Sequence, residues 1–120
     1  MFILCLEEVM KLAIIGSRSI NELNLSQYLP DGISEIVSGG ALGPDRIAAD
    51  YARRNKIPLV EFLPEYARYR GGAPHVRNRQ IAEYADEVLA FWDGKSKGTM
   101  KTVELFKALG KKATVITIHK

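Results

Sequence analysis

Five short, largely apolar runs punctuate this chain: Leu12–Ile15, Glu35–Val37, Pro58–Leu63, Glu87–Trp92 and Ala113–Ile118. Their nearly continuous apolar character, in place of a strict in–out alternation, suits strands of a parallel sheet covered on both faces. Between them, apolar residues recur at helical spacing. Ser19 precedes a short helix expected over Ile20–Leu29, and Arg46–Arg54 puts Ile47, Ala48, Tyr51 and Ala52 on one stripe. Pro74 opens a helix expected to reach Tyr84, with Val76, Ile81 and Ala85 inward. Thr99–Leu109 sets Met100, Val103, Phe106 and Leu109 at three-residue steps as core positions, and Gly110 ends that helix. This alternation predicts an α/β fold, a three-layer sandwich around a mainly parallel five-stranded sheet with right-handed crossovers.

No repeat, linker or low-complexity tract interrupts the pattern, so residues 10–120 read as a single Rossmann-like domain. Met10-Lys11-Leu12 has the look of a chain start running straight into the first strand. Residues 1–9 are then an N-terminal extension, with Met10 as the expected initiator. The upstream segment lacks the basic region and small-residue cleavage site of a signal peptide. The formal net charge of +3 is too mild to demand a polyanionic partner. A single Cys5 allows no internal disulfide, which fits a reducing cytoplasm. His75 and His119 stand too far apart in sequence for a zinc motif, and no apolar run is long enough to span a membrane. No metal or cofactor is expected.

In sheets of this kind, ligands bind beyond the carboxyl ends of the strands. The segments following the first four runs therefore outline a site. They are Gly16-Ser17-Arg18, Ser38-Gly39-Gly40-Ala41-Leu42-Gly43-Pro44-Asp45, Leu63-Pro64-Glu65, and Trp92-Asp93-Gly94 continuing through Lys95-Ser96-Lys97 to Gly98-Thr99. A glycine-rich turn from strand to helix presents backbone N–H groups at the positive end of a helix dipole, a setting for phosphate. Glycines in such a turn also serve plain architecture. Arg18 suits bidentate pairing with phosphate or carboxylate, and Gly98-Thr99 supplies a second helix start with a hydroxyl.

The segment from Tyr66 to Gln80 holds Arg68, Arg70, Arg77 and Arg79 and no acid. Gly71-Gly72 reads as a bending loop that folds this basic stretch back over the crevice. Arg77 and Asn78, on the helix that follows, then reach phosphate and base or ribose, while His75 reads as a surface residue. Asn78 serves equally well as an internal clamp.

Taken in order, Gly16-Ser17-Arg18, Ser38 to Asp45, Arg77-Asn78 and Gly98-Thr99 resemble the SLOG superfamily, and within it the YspA-like branch. The resemblance runs from Lys11 to Ile118. It implies a Rossmann-like domain whose loops bind nucleotides or nucleotide-derived ligands such as ADP-ribose, and it implies self-association into a homo-oligomer. The superfamily also includes the Lonely Guy phosphoribohydrolases, marked by Pro-Gly-Gly-x-Gly-Thr-x-x-Glu. Gly98-Thr99 matches that segment, but the prolyl-glycyl lead-in is missing and the glutamate position falls on Thr102. DNA-processing relatives use a similar fold on single-stranded DNA. Against that use stand the mild charge and the lack of an evident aromatic stacking platform.

The sequence thus favours binding or sensing of a nucleotide-derived phosphate ligand. The residues assigned to it are Gly16, Ser17, Arg18, Ser38, Gly39, Gly40, Gly43, Asp45, Arg77, Asn78, Gly98 and Thr99. One alternative is hydrolysis of a nucleotide N-glycosidic bond, with Glu65 or Asp93 as the catalytic carboxylate. Another is a module that binds nucleic acid or protein through its arginines.

Overall fold

Successive residues of the first strand, β1 (Met10–Gly16), enter two different cores. Leu12 and Ile14 point to one face of the sheet, where they meet Ile20, Leu25, Ile36, Ala48, Ala52, Leu89 and Phe91. Ala13 and Ile15 point to the other, against Val37, Ile81, Ala82, Val88, Ala90, Val103 and Phe106. Burial on both faces is what the continuous apolar runs required. The computed structural model describes residues 10–119; the expected extension 1–9 lies outside the described residues.

The other strands are β2 (Ile33–Ser38), β3 (Leu59–Glu61), β4 (Glu87–Trp92) and β5 (Lys112–Thr117). All neighbours pair in parallel, in the order β3-β2-β1-β4-β5. Helix α1 (Pro44–Arg54) packs on β1 and β2. A single helical turn α2 (Tyr66–Tyr69) and a 3-10 turn (Arg70–Gly72) lead into α3 (Ala73–Tyr84), and α4 (Lys97–Ala108) joins β4 to β5. Helices α3 and α4 cover the second face beside each other. The result is the expected five-stranded parallel α/β sandwich with Rossmann-like architecture.

Three expectations change. The segment expected to be helical from Ile20 to Leu29 forms only a 3-10 turn, Leu25–Gln27. Its buried anchors, Ile20 and Leu25, lie five residues apart, so a helix would hold them about 140° from each other. Asn24 also takes the Ser26 hydroxyl at 2.8 Å, a local bond that competes with helix. Leu109 is 51% exposed, not core. A strict three-residue step slips back by about 60° each time, which carries Leu109 off the face that Val103 and Phe106 bury. The third strand is half as long as the apolar run suggested, and Leu63 beyond it is exposed.

The free carbonyls at the end of α3 have one partner in common. The Lys111 ammonium donates to the carbonyls of Ala82, Glu83 and Ala85 at 2.7, 2.9 and 2.7 Å. Gly110, at φ 73°, turns the chain after α4 so that Lys111 arrives there.

Candidate functional site

The carboxyl ends of β1 and β4 are adjacent, with Gly16 in register with Phe91. The connections leaving them run to opposite edges of the sheet, which makes this the topological switch point. A cleft of about 300 Å3 opens there. Gly16 and Arg18 line it from the end of β1 and Asp45 from the start of α1. Arg77 and Asn78 reach it from α3, and Gly98 and Thr99 from the first turn of α4. A side chain at Gly16 would collide with the Pro44 ring and stand 2.6 Å from the Phe91 carbonyl, so close strand–helix packing needs glycine there.

The glycine-rich loop is arranged around its own anion. The Asp45 carboxylate, buried at the start of α1, accepts from the amides of Gly39 at 3.1 Å and Ala41 at 3.2 Å. The Ser38 hydroxyl donates to the Asp45 carbonyl at 3.0 Å, and the Gly40 amide approaches the Ser38 oxygen at 3.4 Å. Burial pushes the Asp45 carboxyl above its ordinary value, opposed by the Ala41 amide, the Arg77 charge and the Gly39 amide. The Gly39 amide expected to cradle a ligand phosphate therefore already has an acceptor inside the protein. Gly43, at φ 85°, passes close beneath Ser17: a Cβ there would stand 2.9 Å from the Ser17 carbonyl. Gly43, Ser38 and Ser17 shape the site from behind and line neither the cleft nor the depression beside it.

Arg77 ties the loop to α3. Its guanidinium donates to the Gly39 carbonyl and, at 2.7 Å, to the Asn78 side-chain oxygen. Burial lowers its pKa, Asp45 raises it, and the nearby Arg18 charge lowers it. Arg18 itself is exposed and forms no salt bridge among the described residues. Arg18 and Arg77 thus both border the cleft, with the Asp45 carboxylate in the same lining.

On the opposite wall, Ser96 caps α4 and accepts from the Thr99 amide at 3.4 Å and the Thr99 hydroxyl at 3.1 Å. The Ser17 and Thr99 hydroxyl oxygens are 3.4 Å apart, and the Asp93 amide donates to Ser17 at 3.1 Å. Asp93 organises this loop. Its carboxylate accepts from the Ser96 and Lys95 amides at 2.8 and 2.9 Å and from Ser19 at 2.8 Å. Those bonds hold it well below the usual carboxylate range. Neither Asp93 nor Glu65 lines the cleft; Glu65 lies near Arg68 at 4.0 Å. Among the described residues, Asp45 is the one carboxylate in the lining. Thr102 lines it too, with its hydroxyl bonded to the Gly98 carbonyl at 3.1 Å.

Sequence reasoning missed several lining residues. His75 is exposed as expected, yet it borders the cleft with Lys101 and Thr102. The helical period would have found the last two, since they sit three and four residues beyond Gly98 on the same face. A second depression of about 260 Å3 adjoins the cleft and contains Gly39, Gly40, Leu42, Pro64 and Tyr66. It shares Arg18, Ala41, Pro74 and Arg77 with the cleft. An exposed aromatic, Tyr66, therefore does stand beside the arginines, contrary to the expectation of no stacking platform. Of the basic stretch, only Arg77 reaches the crevice; Arg68 instead lies over the Tyr69 ring.

The family model described as "YspA, cpYpsA-related SLOG family" matches residues 10–69, from β1 through the glycine loop to α2. The chain belongs to this SLOG family. Among solved structures, the fold of this SLOG domain is similar to that of DNA processing protein A from Helicobacter pylori, described for its single-stranded DNA binding mode. The TM-score is 0.64 at 24% identity, covering 88% of this chain and 64% of the other. The SLOG chain therefore spans less than two thirds of that protein's structure, and the likeness is one of fold. No curated protein matches it. Among the described residues, no helix is long and apolar enough to cross a membrane, and no cluster of His, Cys, Asp and Glu has the makings of a metal site.

Proposed function

We propose that this SLOG domain binds, and thereby senses, a nucleotide or nucleotide-derived phosphate ligand, such as an ADP-ribose-like molecule, in the switch-point cleft. The observation that carries the reading is the pair Arg18 and Arg77. The first has no acidic partner among the described residues, and the second is held in place by Gly39 and Asn78. Both border the cleft, so an anion there gains charge-assisted hydrogen bonds from two sides. The α4 start at Gly98 and Thr99 adds the favourable end of a helix dipole. Asn78, through the side-chain NH2 that its bond to Arg77 leaves open, is the group that orients ribose or base, while Asp45 shapes the loop beside it. Self-association and a cytoplasmic location belong to this reading as expectations from the resemblance and from the lone cysteine.

Binding is favoured over hydrolysis of the N-glycosidic bond. That reaction needs a carboxylate free to approach the ribosyl centre, and Asp45 is committed to two backbone amides. Thermal unfolding with AMP, ADP, ADP-ribose and NAD tests the reading. A ligand present at a hundredfold its Kd stabilises the fold by about 2.7 kcal/mol. A shift lost in Arg18→Ala supports the cleft; a flat panel overturns it. Release of free base from any of these nucleotides would favour the enzyme instead.

Single-stranded nucleic acid is the second reading, favoured by the exposed Tyr66 beside Arg18 and Arg77. It predicts oligothymidylate binding that weakens steeply between 50 and 200 mM salt. Negligible binding at the lower concentration removes it.

A further inference from the structure

Two hollows meet at the same pair of arginines. The switch-point cleft, about 300 Å3, stands at the lower limit for small-ligand sites, roughly 300–1,000 Å3. The neighbouring depression, about 260 Å3, falls below it and shares Ala41 and Pro74 with the cleft as well as the arginines. Arg18 and Arg77 border both. The hollows differ in chemistry. The cleft is walled by Asn78, Thr99 and the helix start at Gly98. The depression has glycine backbone at Gly39 and Gly40, flanked by Leu42, Pro64 and the Tyr66 ring. Leu42 is 53% and Tyr66 58% exposed, two of the large apolar side chains that the fold leaves uncovered. Tyr66 lies within electrostatic reach of Arg77.

We infer that the ligand has two ring-bearing ends joined through a diphosphate: a nucleoside diphosphate whose terminal phosphate carries a second nucleoside. The inference rests on the reading of the cleft as a nucleotide site. One nucleoside occupies the cleft, and the two phosphates lie between Arg18 and Arg77. The second ring stacks on Tyr66 with Leu42 and Pro64 at its edges. Charge supports the diphosphate, because two guanidinium groups, Arg18 and Arg77, stand where the two hollows meet. The aromatic face supports the second ring, because base stacking on an exposed aromatic is sequence-tolerant and needs no matched hydrogen bonds. Within the depression, Gly39 and Gly40 present backbone without side chains, and Gly40 turns at φ 72°.

Calorimetric titration of the full chain with AMP, ADP and NAD, as wild type, Tyr66→Ala and Tyr66→Phe, tests this. Expected affinities rise from AMP to ADP and rise again, by roughly tenfold, from ADP to NAD. Tyr66→Ala should bring NAD down to the level of ADP and leave ADP itself unchanged. Tyr66→Phe should keep the preference. Equal loss of ADP and NAD in Tyr66→Ala, or no preference for NAD in the wild type, overturns the second subsite while leaving the nucleotide cleft standing. Failure of AMP, ADP and NAD alike to bind overturns the reading of the cleft itself. Oligothymidylate that binds more tightly than NAD, in a Tyr66-dependent way, assigns the depression to a nucleic-acid strand and overturns the small-ligand inference.

Discussion

The Asp45 carboxylate lies 3.1 Å from the Gly39 amide nitrogen, in the place an external anion takes at a glycine-rich turn. The Ala41 amide joins it at 3.2 Å, and Arg77 closes the arrangement by donating to the Gly39 carbonyl. The loop is therefore shaped by its own carboxylate, and in the proposed reading Arg18, Arg77 and the α4 start are the groups left for an external anion.

Replacing Asp45 by asparagine keeps an oxygen for those amides and removes a negative charge from the cleft. Asp45→Asn should tighten AMP binding at pH 7, by about 1 kcal/mol, on the order of fivefold. The gain should fade as pH falls, because the raised pKa of Asp45 lets it take up its proton above the ordinary carboxylate range. The same titration favours the folded state as pH falls through that range, since the folded chain binds the proton first. Titration calorimetry across pH checks both the sign and the fade.

Arg18→Ala removes an exposed side chain that supports nothing around it. Its unfolding free energy should stay within about 0.5 kcal/mol of wild type. AMP affinity should fall roughly 10- to 100-fold, the scale of a lost charge-assisted hydrogen bond. Denaturant unfolding and calorimetry on the same preparation separate the two effects.

Two glycines should behave in opposite ways. At Gly43 the positive φ and the nearby Ser17 carbonyl both exclude a side chain, and Gly43→Ala should cost about 1–3 kcal/mol of stability. At Gly98 a Cβ meets open space, inside a helix. Gly98→Ala should be neutral or stabilising by up to about 1 kcal/mol, with weaker AMP binding as its methyl enters the cleft lining. Unfolding curves without ligand, set beside AMP titrations, show whether each glycine serves the fold or the site.

Asp93 contributes through its charge. Its folded pKa is depressed, so its stabilisation is complete above the unfolded value of about 3.9 and is lost as pH falls below it. Asp93→Ala should be less stable than wild type at pH 7, and the gap should narrow from pH 4 towards pH 2. A gap independent of pH would mean that the side chain acts through shape alone.

Burial on both faces made the strands legible: the apolar run Glu87–Trp92 coincides with β4. Arg18, Gly98 and Thr99 were expected at the cleft because each follows a strand or opens a helix at one edge of the sheet, and Arg77 and Asn78 because they lie on the helix that follows the Gly71-Gly72 bend; all five line it. Leu109 misled because three-residue spacing looks helical locally while drifting off the buried face. Asp45 was recognised as a site residue, but its acceptor role was hidden, since a carboxylate four residues beyond Ala41 meets that amide only once the turn has closed. Tyr66 stayed hidden for a tertiary reason. Nothing local distinguishes it from Tyr69, and only the path of α2 past the glycine loop sets it beside Arg77.

Lys111 fastens the two cleft-bearing helices at the end away from the cleft. Delivered by the turn after α4, its ammonium clasps the last carbonyls of α3 and sets a positive charge at the negative end of that helix. One side chain thus serves as the C-terminal cap of a helix to which it does not belong.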